Sequence, residues 1–544
     1  MSYIKTDKRK SGTYLRIVES KRNSNGKVQK TTLHNLGNVA NYSSASLKKM
    51  GKVLYELGGG RIPEEYTPRI SEIARYNYGF IQVYDHVIKE YELDKYLSRL
   101  SLRYHIEFDL YQTILLMIAE RLNDPSSKLS NYNHQNEYLG LDKIELHNLY
   151  RSLDYLYENQ DKIQQLIYTK GRNLFNQQLD VVFYDVTTFY FDSEKEDGYR
   201  RKGYSKDGKI GKTVIVFGLL IDKHKNPIGY RIYKGGQYEG HTFADAVRKL
   251  KEEYSIDRVI TVADRGMMSR ENISLLNSES IGYEYIIGER LKNLSHSLQD
   301  KILDRSKYSK LKIREEEGKE TEEEIELEYF VMKHEGKKII TTYSSKRASK
   351  DRYEREEKIK KAKQYLEDPS KVERKAASHY LKKKNKSEYE IDEEKIKKSE
   401  RYDGFISIST NAEDMSETDI LDAYKQLYKI EHTFRTFKSY LETRPMFHWT
   451  EKRIEGHLCL CYISFTLLNY LQQQLQKRLT PMSENKIRNT LSQLQLSLIN
   501  LDGKEYYLRS NTGEGGKMIF KALKIKELPN LIPKHELTNY ISII

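Results

Sequence analysis

The chain is poor in cysteine, proline and tryptophan, and has no long apolar run. Its 544 residues include 2 Cys, 9 Pro and 1 Trp. Two cysteines, Cys459 and Cys461, cannot staple a chain of this length, which excludes a disulfide scaffold and predicts a reducing compartment. Residues 1–10 lack the apolar segment of a secretory signal. The longest apolar stretch, Leu458–Leu471, is too short to span a bilayer and contains Asn469. We therefore expect a cytoplasmic protein that does not enter membranes.

The composition indicates a folded chain with a polyanionic partner. Charged residues make up 32% and hydrophobic residues 38%, so cores can form and global disorder is excluded. The net charge of +14 favours nucleic acid as the partner. A codon bias towards Lys, Asn, Ile and Tyr is the alternative source of that charge. The length exceeds what one compact core accommodates, so several domains are expected.

Changes in pattern along the chain divide it into six predicted segments. A β-rich unit with possible DNA binding comes first, and helical spacing follows it. A β-prone catalytic core is then interrupted by a polar, Lys-rich insertion. The predicted boundaries are 1–55 for the β-rich unit, 56–178 for the helical domain, 179–299 for the first part of the core, 300–400 for the insertion, 401–477 for the second part of the core and 478–544 for the C-terminal region.

Five β-prone runs within the core predict one mixed sheet, with a helix after the third run and another after the fourth. Thr242 is the expected cap of the first helix, and the second is expected to start near Ser269. This order predicts an α/β layer covered on both faces. The five runs are Val181–Phe191, Lys212–Asp222, Ile228–Tyr233, Arg258–Ala263 and Gly404–Thr410.

Two aspartates stand out because of where they fall. Asp185 interrupts the apolar run VVFYDVTTFYF, where a carboxylate is costly unless a cation or hydrogen bonds compensate. Asp264 ends the run VITVAD, at the kind of strand end where α/β proteins bind ligands. If the two strands are neighbours, the carboxylates converge, and a divalent ion such as Mg²⁺ suits them. Asp185 as a buried structural carboxylate and Asp264 as a helix cap are the alternatives.

A third acid is predicted from helical spacing. Tyr424, Glu431 and Lys438 are seven residues apart, which places them on one stripe of a helix. Arg435, at i+4 from Glu431, joins that stripe. An acid flanked by Tyr, Arg and Lys is typical of a metal ligand with cationic neighbours for phosphate oxygens. For Glu431 alone, a solvated helix position is the alternative.

Together these residues resemble the DDE transposases, which carry Asp, Asp and Glu on a ribonuclease-H-like core. The stretch YKQLYKIEHTFRTFK is similar to the Tyr-Arg-Glu-Lys signature of one subgroup of bacterial insertion-sequence transposases. Tyr424, Glu431 and Lys438 match that signature, whereas Leu427 stands at the Arg position, for which Arg435 is a substitute. Further similar stretches are RLNDPSSK (121–128), GYSKDGK (203–209), DRGM (264–267), RPMFHW (444–449) and RIEGH (453–457).

The resemblance implies an activity, a cofactor and partners. Asp185, Asp264 and Glu431 would be the catalytic residues and the ligands of two Mg²⁺ ions, with Mn²⁺ as a substitute. Tyr424, Arg435 and Lys438 would bind DNA phosphates. The enzyme would cut DNA at the terminal inverted repeats of an insertion sequence and join the freed 3′ ends to target DNA, acting as a homodimer. A ribonuclease-H-like nuclease that cuts without joining, or a catalytically inactive DNA-binding derivative, are the alternative functions.

Three other features have a functional and a structural interpretation. His457, Cys459 and Cys461 do not match the spacing of a common zinc site, so core helix positions are expected. Trp449 is expected in the core, with stacking on a displaced base as the alternative. The Lys-rich runs at 345–398 are consistent with contact to a DNA backbone and equally with a solvated helix face.

Overall fold

A computed structural model gives the fold of the chain. It describes residues 2–24, 26–60, 70–175, 181–203, 211–237, 239–254, 256, 259–264, 269–315, 323–368, 378–384 and 389–541. Two compact units are present. The smaller consists of Met1–Ser71 together with Asn500–Lys504, and the larger of Glu72–Ile499 together with Glu505–Ile544.

The smaller unit is an antiparallel β-sheet followed by a helix. Strands β1 (Ser2–Arg9), β2 (Gly12–Arg22) and β3 (Val28–Asn38) pair in chain order, and β2 and β3 form a basic hairpin. Helix α1 (Ser44–Leu57) begins at Ser43, whose side chain accepts a hydrogen bond from the Ser46 backbone N–H.

A helical region leads into the core of the larger unit. A strand, β4 (Ile70–Asn77), precedes its helices, although residues 56–178 were predicted to form a helical domain. The apolar stripe of Ile81, Tyr84 and Ile88 lies on the first of the helices and is buried, and the third helix ends at Asn123. The helices are α2 (Gly79–Glu90), α3 (Leu93–Arg103), α4 (Leu110–Asn123), α5 (Lys128–His134) and α6 (Leu146–Phe175).

The next part of the chain builds the first strands of the main sheet and the helices between them. The elements are β5 (Val181–Tyr190), β6 (Arg201–Lys202), β7 (Thr213–Asp222), β8 (Pro227–Lys234), α7 (Glu239–Glu252), β9 (Ile260–Ala263), α8 (Arg270–Leu276) and β10 (Glu284–Glu289). Helix α8 starts next to Ser269, as predicted, and Ser269 is its cap, whereas the prediction of Thr242 as a cap is wrong because this residue lies inside α7.

A β-hairpin and several helices follow before the sheet is completed. The elements are α9 (His296–Leu303), β11 (Ser309–Glu315), β12 (Glu323–His334), β13 (Lys337–Tyr343), α10 (Ser345–Glu367), β14 (Leu381–Lys383), β15 (Tyr389–Ile391), α11 (Glu393–Glu400) and β16 (Phe405–Thr410).

In the described residues the main sheet has ten strands. Their order is β11-β12-β13-β16-β10-β9-β5-β7-β6, and β8 also pairs with β7. Strand β7 is antiparallel to β5 and β8, whereas β9 is parallel to both β5 and β10. The series β8-β7-β5-β9-β10 is therefore the ribonuclease-H-like arrangement that was expected. Its fifth strand is Glu284–Glu289, which the sequence did not reveal. Gly404–Thr410 supplies β16 instead, antiparallel to β10, and β13, β12 and β11 extend the sheet further.

Helices cover both faces of this sheet. On one face, Tyr184 and Ala263 pack in a cluster with Phe243 and Val247 of α7. On the other, Phe183 and Val262 belong to a larger cluster that includes α4, α6 and the helices near the C-terminal end of the core. The alternation follows from the period of two in a strand. It fixes which side chains of β5 and β9 face the second helical layer.

The last elements complete that layer and add the C-terminal region. They are α12 (Glu417–Lys425), α13 (Tyr428–Arg435), a π-helical turn (Thr436–Tyr440), α14 (Glu451–Lys477), α15 (Glu484–Ser492), β17 (Gln495–Leu501), β18 (Lys504–Arg509), α16 (Gly513–Leu523) and β19 (Leu531–Pro533). Most of β4, β17 and β18 lies in the larger unit, where these strands and β19 form a sheet in the order β19-β18-β17-β4.

Helix α14 is buried along most of its length. It carries His457, Cys459 and Cys461, which are all buried, as expected of core helix residues. None of the helices in the described part of the chain is long and apolar enough to cross a membrane.

Helix α14 lies against the backbone of α6 at a glycine. A Cβ atom added at Gly456 would lie 2.0 Å from the carbonyl oxygen of Leu153. We expect Gly456→Ala to lower the free energy of unfolding by about 3 kcal/mol, because the two helices must separate or bend to admit the methyl group. Urea-induced unfolding of the two proteins measures this difference.

Gly171→Ala is the matched control, since Gly171 lies in α6 and an added Cβ would meet only the Tyr91 ring edge, at 3.9 Å. This variant should gain up to about 1 kcal/mol, because alanine is the better helix former. Equal effects of the two substitutions would contradict the close packing of α14 on α6.

Candidate active site

Asp185 lies in the middle of the main sheet. It is half-buried on β5, between neighbours in the β7 and β9 strands, and one of its carboxylate oxygens accepts a hydrogen bond of 2.7 Å from the Val186 backbone N–H. By the alternation along β5, its side chain points to the same face as Phe183, towards the large helical layer. The strand therefore presents a carboxylate to the helices that pack on this face.

Asp264 follows β9 directly, and the register of the sheet places it beside Asp185. The strands β5 and β9 are parallel, and their last paired residues are Tyr184 and Ala263. Each aspartate is the next residue along its strand. Paired residues of adjacent strands are about 5 Å apart, so the two backbones are neighbours here. The two strands are thus neighbours, which is the condition on which the predicted convergence of the two aspartates depends.

The helix that carries Glu431 is interrupted. Helix α12 ends at Lys425, the chain turns at residues 426–427, and α13 begins at Tyr428 and continues into the π-helical turn at Thr436–Tyr440. The predicted stripe required one continuous helix, so Tyr424 does not lie on the same helix as Glu431. Leu427, at the Arg position of the signature, precedes α13 and packs against the core.

A cleft of about 340 Å³ joins β5 to α13 and the π-helical turn. It brings Asp185 and Glu431 together with three cationic side chains, of which Arg435 and Lys438 were predicted and Arg444 was not. Arg444 lies in the RPMFHW stretch, whose Met446 backbone N–H donates 3.0 Å to the Tyr190 carbonyl oxygen at the end of β5. The full lining is Asp185, Val186, Thr187, Glu431, Phe434, Arg435, Lys438, Ser439 and Arg444.

Asp264 and Tyr424 line a different cavity, of about 720 Å³. This cavity lies between the carboxyl ends of β9 and β10 and the predicted insertion. The structure therefore groups the predicted site residues into two sets. Asp185, Glu431, Arg435 and Lys438 share the cleft, and Asp264 and Tyr424 share the larger cavity.

Carboxylates are the donors that Mg²⁺ prefers, so the chemistry of these side chains suits the ion. Within the ranges that the structure describes, no three His, Cys, Asp or Glu side chains lie close enough together to hold a metal ion. The aspartates are neighbours along the sheet, but the three carboxylates do not form a preassembled metal centre.

Two arginines hold the end of the helix that carries Glu431. The Arg488 guanidinium of α15 donates 2.7 Å to the Tyr440 carbonyl oxygen and 3.0 Å to that of Leu122, and it lies 4.0 Å from the centre of the Tyr440 ring. Arg121, in the RLNDPSSK stretch, donates 3.2 Å to the Leu441 carbonyl oxygen. These bonds attach the π-helical turn to α4 and α15, and so set the position of Lys438.

The RPMFHW stretch also carries the tryptophan, and the expectation that Trp449 packs in the core is wrong. Its side chain is 62% exposed, and the buried Arg200 guanidinium lies 4.7 Å from the ring centre. Parts of two other predicted motifs, residues 204–209 of GYSKDGK and 265–267 of DRGM, lie outside the described residues.

Two protein-family models match this chain. The model for the transposase DDE domain matches residues 176–467, more than half of the chain. The chain belongs to the DDE transposase family. The model for the N-terminal domain of IS1634 family transposases also matches, at residues 4–61. The protein is thus a transposase, an enzyme that cleaves DNA and transfers the cut strand, as the sequence predicted. The nuclease and the inactive derivative are not favoured.

Similarity to solved structures is weak. The transposase has 10% identity and a TM-score of 0.38 to a piggyBac transposase synaptic complex with hairpin DNA, covering 86% of this chain and 84% of that chain. For a Mos1 transposase paired-end complex the values are 15% identity, a TM-score of 0.14, and 46% and 68% coverage. For the Argonaute of Marinitoga piezophila they are 11%, 0.15, 53% and 65%. Among curated proteins no sequence matches. The fold assignment therefore rests on the strand order of the main sheet and not on these similarities.

The attachment at Arg488 can be tested on the transposase directly. We expect Arg488→Gln to lower the free energy of unfolding by about 2 kcal/mol, because the Tyr440 and Leu122 carbonyl oxygens lose a charged donor. Arg488→Lys should restore little, since an ammonium group lacks the planar fork that reaches both oxygens. Lys486→Gln, an exposed change on the same helix, should have no effect on unfolding. A neutral result for both Arg488 variants would show that this side chain does not hold the turn.

Proposed function

We propose that Asp185, Asp264 and Glu431 are the catalytic carboxylates of this transposase. The observation that carries the proposal is the register of β5 and β9, which makes the two aspartates neighbours on the sheet. Glu431 supports it, because α13 packs on the face to which Asp185 points and Glu431 lines the same cleft. Carboxylates in these strand and helix contexts are what the DDE family requires.

DDE transposases use divalent metal ions, and these three residues are the proposed ligands of two Mg²⁺ ions, for which Mn²⁺ substitutes. Bound ions would lower the pKa of the attacking water and neutralise charge on the phosphate. The chain itself contributes the carboxylate oxygens that would bind the ions, and it places arginine and lysine side chains near them.

The cationic side chains of the cleft are proposed to hold the DNA. Arg435, Lys438 and Arg444 line it on the helical side, opposite the acid on β5. An arginine binds a phosphate through two parallel N–H bonds, and a lysine acts as a point charge. The signature has an arginine where this chain has Leu427, and a leucine cannot bind a phosphate. Arg435 is therefore proposed to make the phosphate contact of that missing arginine. Tyr424 would contact phosphate from the larger cavity that it shares with Asp264.

The remaining proposals concern partners and domains. The substrates are proposed to be the terminal inverted repeats of an insertion sequence and a target duplex, held by a homodimer in the cytoplasm. The β-rich unit of residues 1–55 is proposed to bind DNA, which agrees with the basic strands of its hairpin. The other predicted segments, 56–178, 179–299, 300–400, 401–477 and 478–544, remain our proposed division of the chain.

Substitution of the aspartates tests the catalytic assignment. We expect Asp185→Asn and Asp264→Asn each to reduce cleavage of an inverted-repeat duplex by about a thousandfold or more, as loss of one member of a catalytic unit does. Binding to that duplex should remain within about threefold of the unsubstituted protein, because the cationic side chains are kept. Gel assays of cleavage and of binding, with Mg²⁺ and with Ca²⁺ respectively, provide both measurements.

Asp192→Asn is the control, because this carboxylate lies just beyond β5, is 67% exposed and pairs with Lys212 at 2.8 Å. It should cleave at the normal rate. Persistent cleavage by Asp264→Asn would show that the assignment of this residue is wrong.

The replacement of the missing arginine can also be tested. Arg435→Gln should slow cleavage about tenfold to a hundredfold, the effect of removing one charged hydrogen bond. Adding Leu427→Arg to this variant should not restore the rate, because position 427 packs against the core. Lys425→Gln, an exposed change at the end of α12, is the control and should leave cleavage unchanged. Restoration by Leu427→Arg would contradict the proposed role of Arg435.

A further inference from the structure

The cavity of about 720 Å³ extends from the catalytic sheet to the insertion. Asp264 lies at its sheet side, and the segment from Gly288 to Asn293, which follows β10, forms its floor. Opposite these, α10 contributes one face. Successive turns of α10 supply the residues of that face, as expected for a single stripe in which Glu354 and Arg355 are adjacent, and they are Arg347, Asp351, Glu354, Arg355 and Lys358.

Most of the charges around this cavity are paired with one another. Arg347 contacts Asp351 at 2.9 Å and Arg355 contacts Asp403 at 2.5 Å. Glu289 accepts from Lys337 at 2.8 Å, and Glu354 lies 3.9 Å from Lys350. These pairs cancel locally and leave little field in the cavity.

Two cations on opposite walls are different. In the described part of the protein, neither the Arg290 guanidinium nor the Lys358 ammonium has a carboxylate within ion-pair distance. Lys292 adds a third cation, with its ammonium 5.2 Å from the centre of the Tyr402 ring. Burial and the nearby charges of Lys395, Lys358 and Lys292 lower the pKa of His379, which also lines the cavity. The positive charges of Arg290, Lys292 and Lys358 therefore line the same cavity.

The position of this space matters as much as its charge. It opens at the carboxyl ends of the parallel strands β9 and β10, the edge at which α/β proteins bind ligands. An aspartate proposed to act on DNA borders it, together with Tyr424. A polyanion that enters between α10 and the sheet is thus led towards Asp264.

We propose that this cavity binds the phosphate backbone of single-stranded DNA next to the cleavage position, with Arg290 and Lys358 as the main phosphate-binding side chains. This inference rests on the proposed function, because Asp264 gives the cavity its role. Its volume is in the range of pockets that enclose small ligands, which suits a few nucleotides of one strand and excludes a duplex. Tyr402 and Tyr380 line the walls, and aromatic rings there suit unstacked bases.

The test compares binding of a labelled oligothymidylate and of a blunt duplex by the full-length transposase over a range of salt concentrations. The double variant Arg290→Gln with Lys358→Gln should bind the oligothymidylate at least about tenfold more weakly at low salt. The dependence of log affinity on log salt should fall by about 0.7 for each phosphate that is no longer neutralised, or about 1.4 for both. Duplex affinity should change by less than about threefold.

Lys360→Gln is the matched control, because Lys360 lies on the opposite side of α10 from Lys358 and pairs with Glu357. It should leave both affinities and the salt dependence unchanged. Thermal unfolding of each variant checks that the fold is retained, as expected for changes at exposed residues.

The outcomes separate this inference from the proposed function. Unchanged oligothymidylate binding by the double variant overturns the inference, and so does an equal loss of affinity for oligothymidylate and duplex. Asp264→Asn should still bind the oligothymidylate while failing to cleave. If that variant cleaves, the catalytic assignment fails and the binding site remains supported by its own measurement.

Discussion

The parallel pairing of β5 with β9 is the constraint on which the site depends. It aligns Tyr184 with Ala263, so the residues that follow, Asp185 and Asp264, are neighbours. Burial on both sides of the sheet fixes this register, since a slip of one residue would turn Phe183 and Tyr184 to the wrong faces. A slip would also turn Asp185 towards the apolar cluster that includes Phe243 and Val247 of α7, where burial of a carboxylate is costly. The apolar residues around the aspartate therefore determine where its charge is presented.

Helix α13 and the π-helical turn after it are not part of one long helix. Hydrogen bonds from other elements hold this segment in place. Helices α12 and α13 are separated by a turn, and α13 passes into a π-helical turn before the chain leaves the cleft. Such turns leave backbone carbonyls without helical donors. Arg488 and Arg121 supply donors to Tyr440 and Leu441 from two other elements. The RLNDPSSK stretch and the C-terminal region, far apart in the sequence, thus support the segment that carries Lys438.

Sequence patterns predicted the parts of this structure that depend on local rules. An apolar run broken by an aspartate identified β5, and an aspartate at a strand end located the boundary of β9. The helical stripe through Tyr424 failed because nothing in the local sequence marks the break at residues 426–427. Strand β10, Glu284–Glu289, is only six residues long and does not stand out from the sequence around it as β5 and β7 do. Arg444 reaches the cleft through a bridge between Phe191 and Met446, a long-range pairing that no spacing reveals.

Electrostatics disfavours a close cluster of the three carboxylates, of which Asp185 and Glu431 share one cleft and Asp264 lines another cavity. Two or three like charges brought together raise one another's pKa and repel unless a cation lies between them. Asp185 is fixed by a buried strand and by its hydrogen bond to Val186. Asp264 and Glu431 are exposed, and among the described residues no hydrogen bond or ion pair holds either carboxylate. Of the three proposed metal ligands, Asp264 and Glu431 are thus the least restrained. In the proposed site, Asp185 would be the fixed reference point towards which bound cations would draw the other two carboxylates.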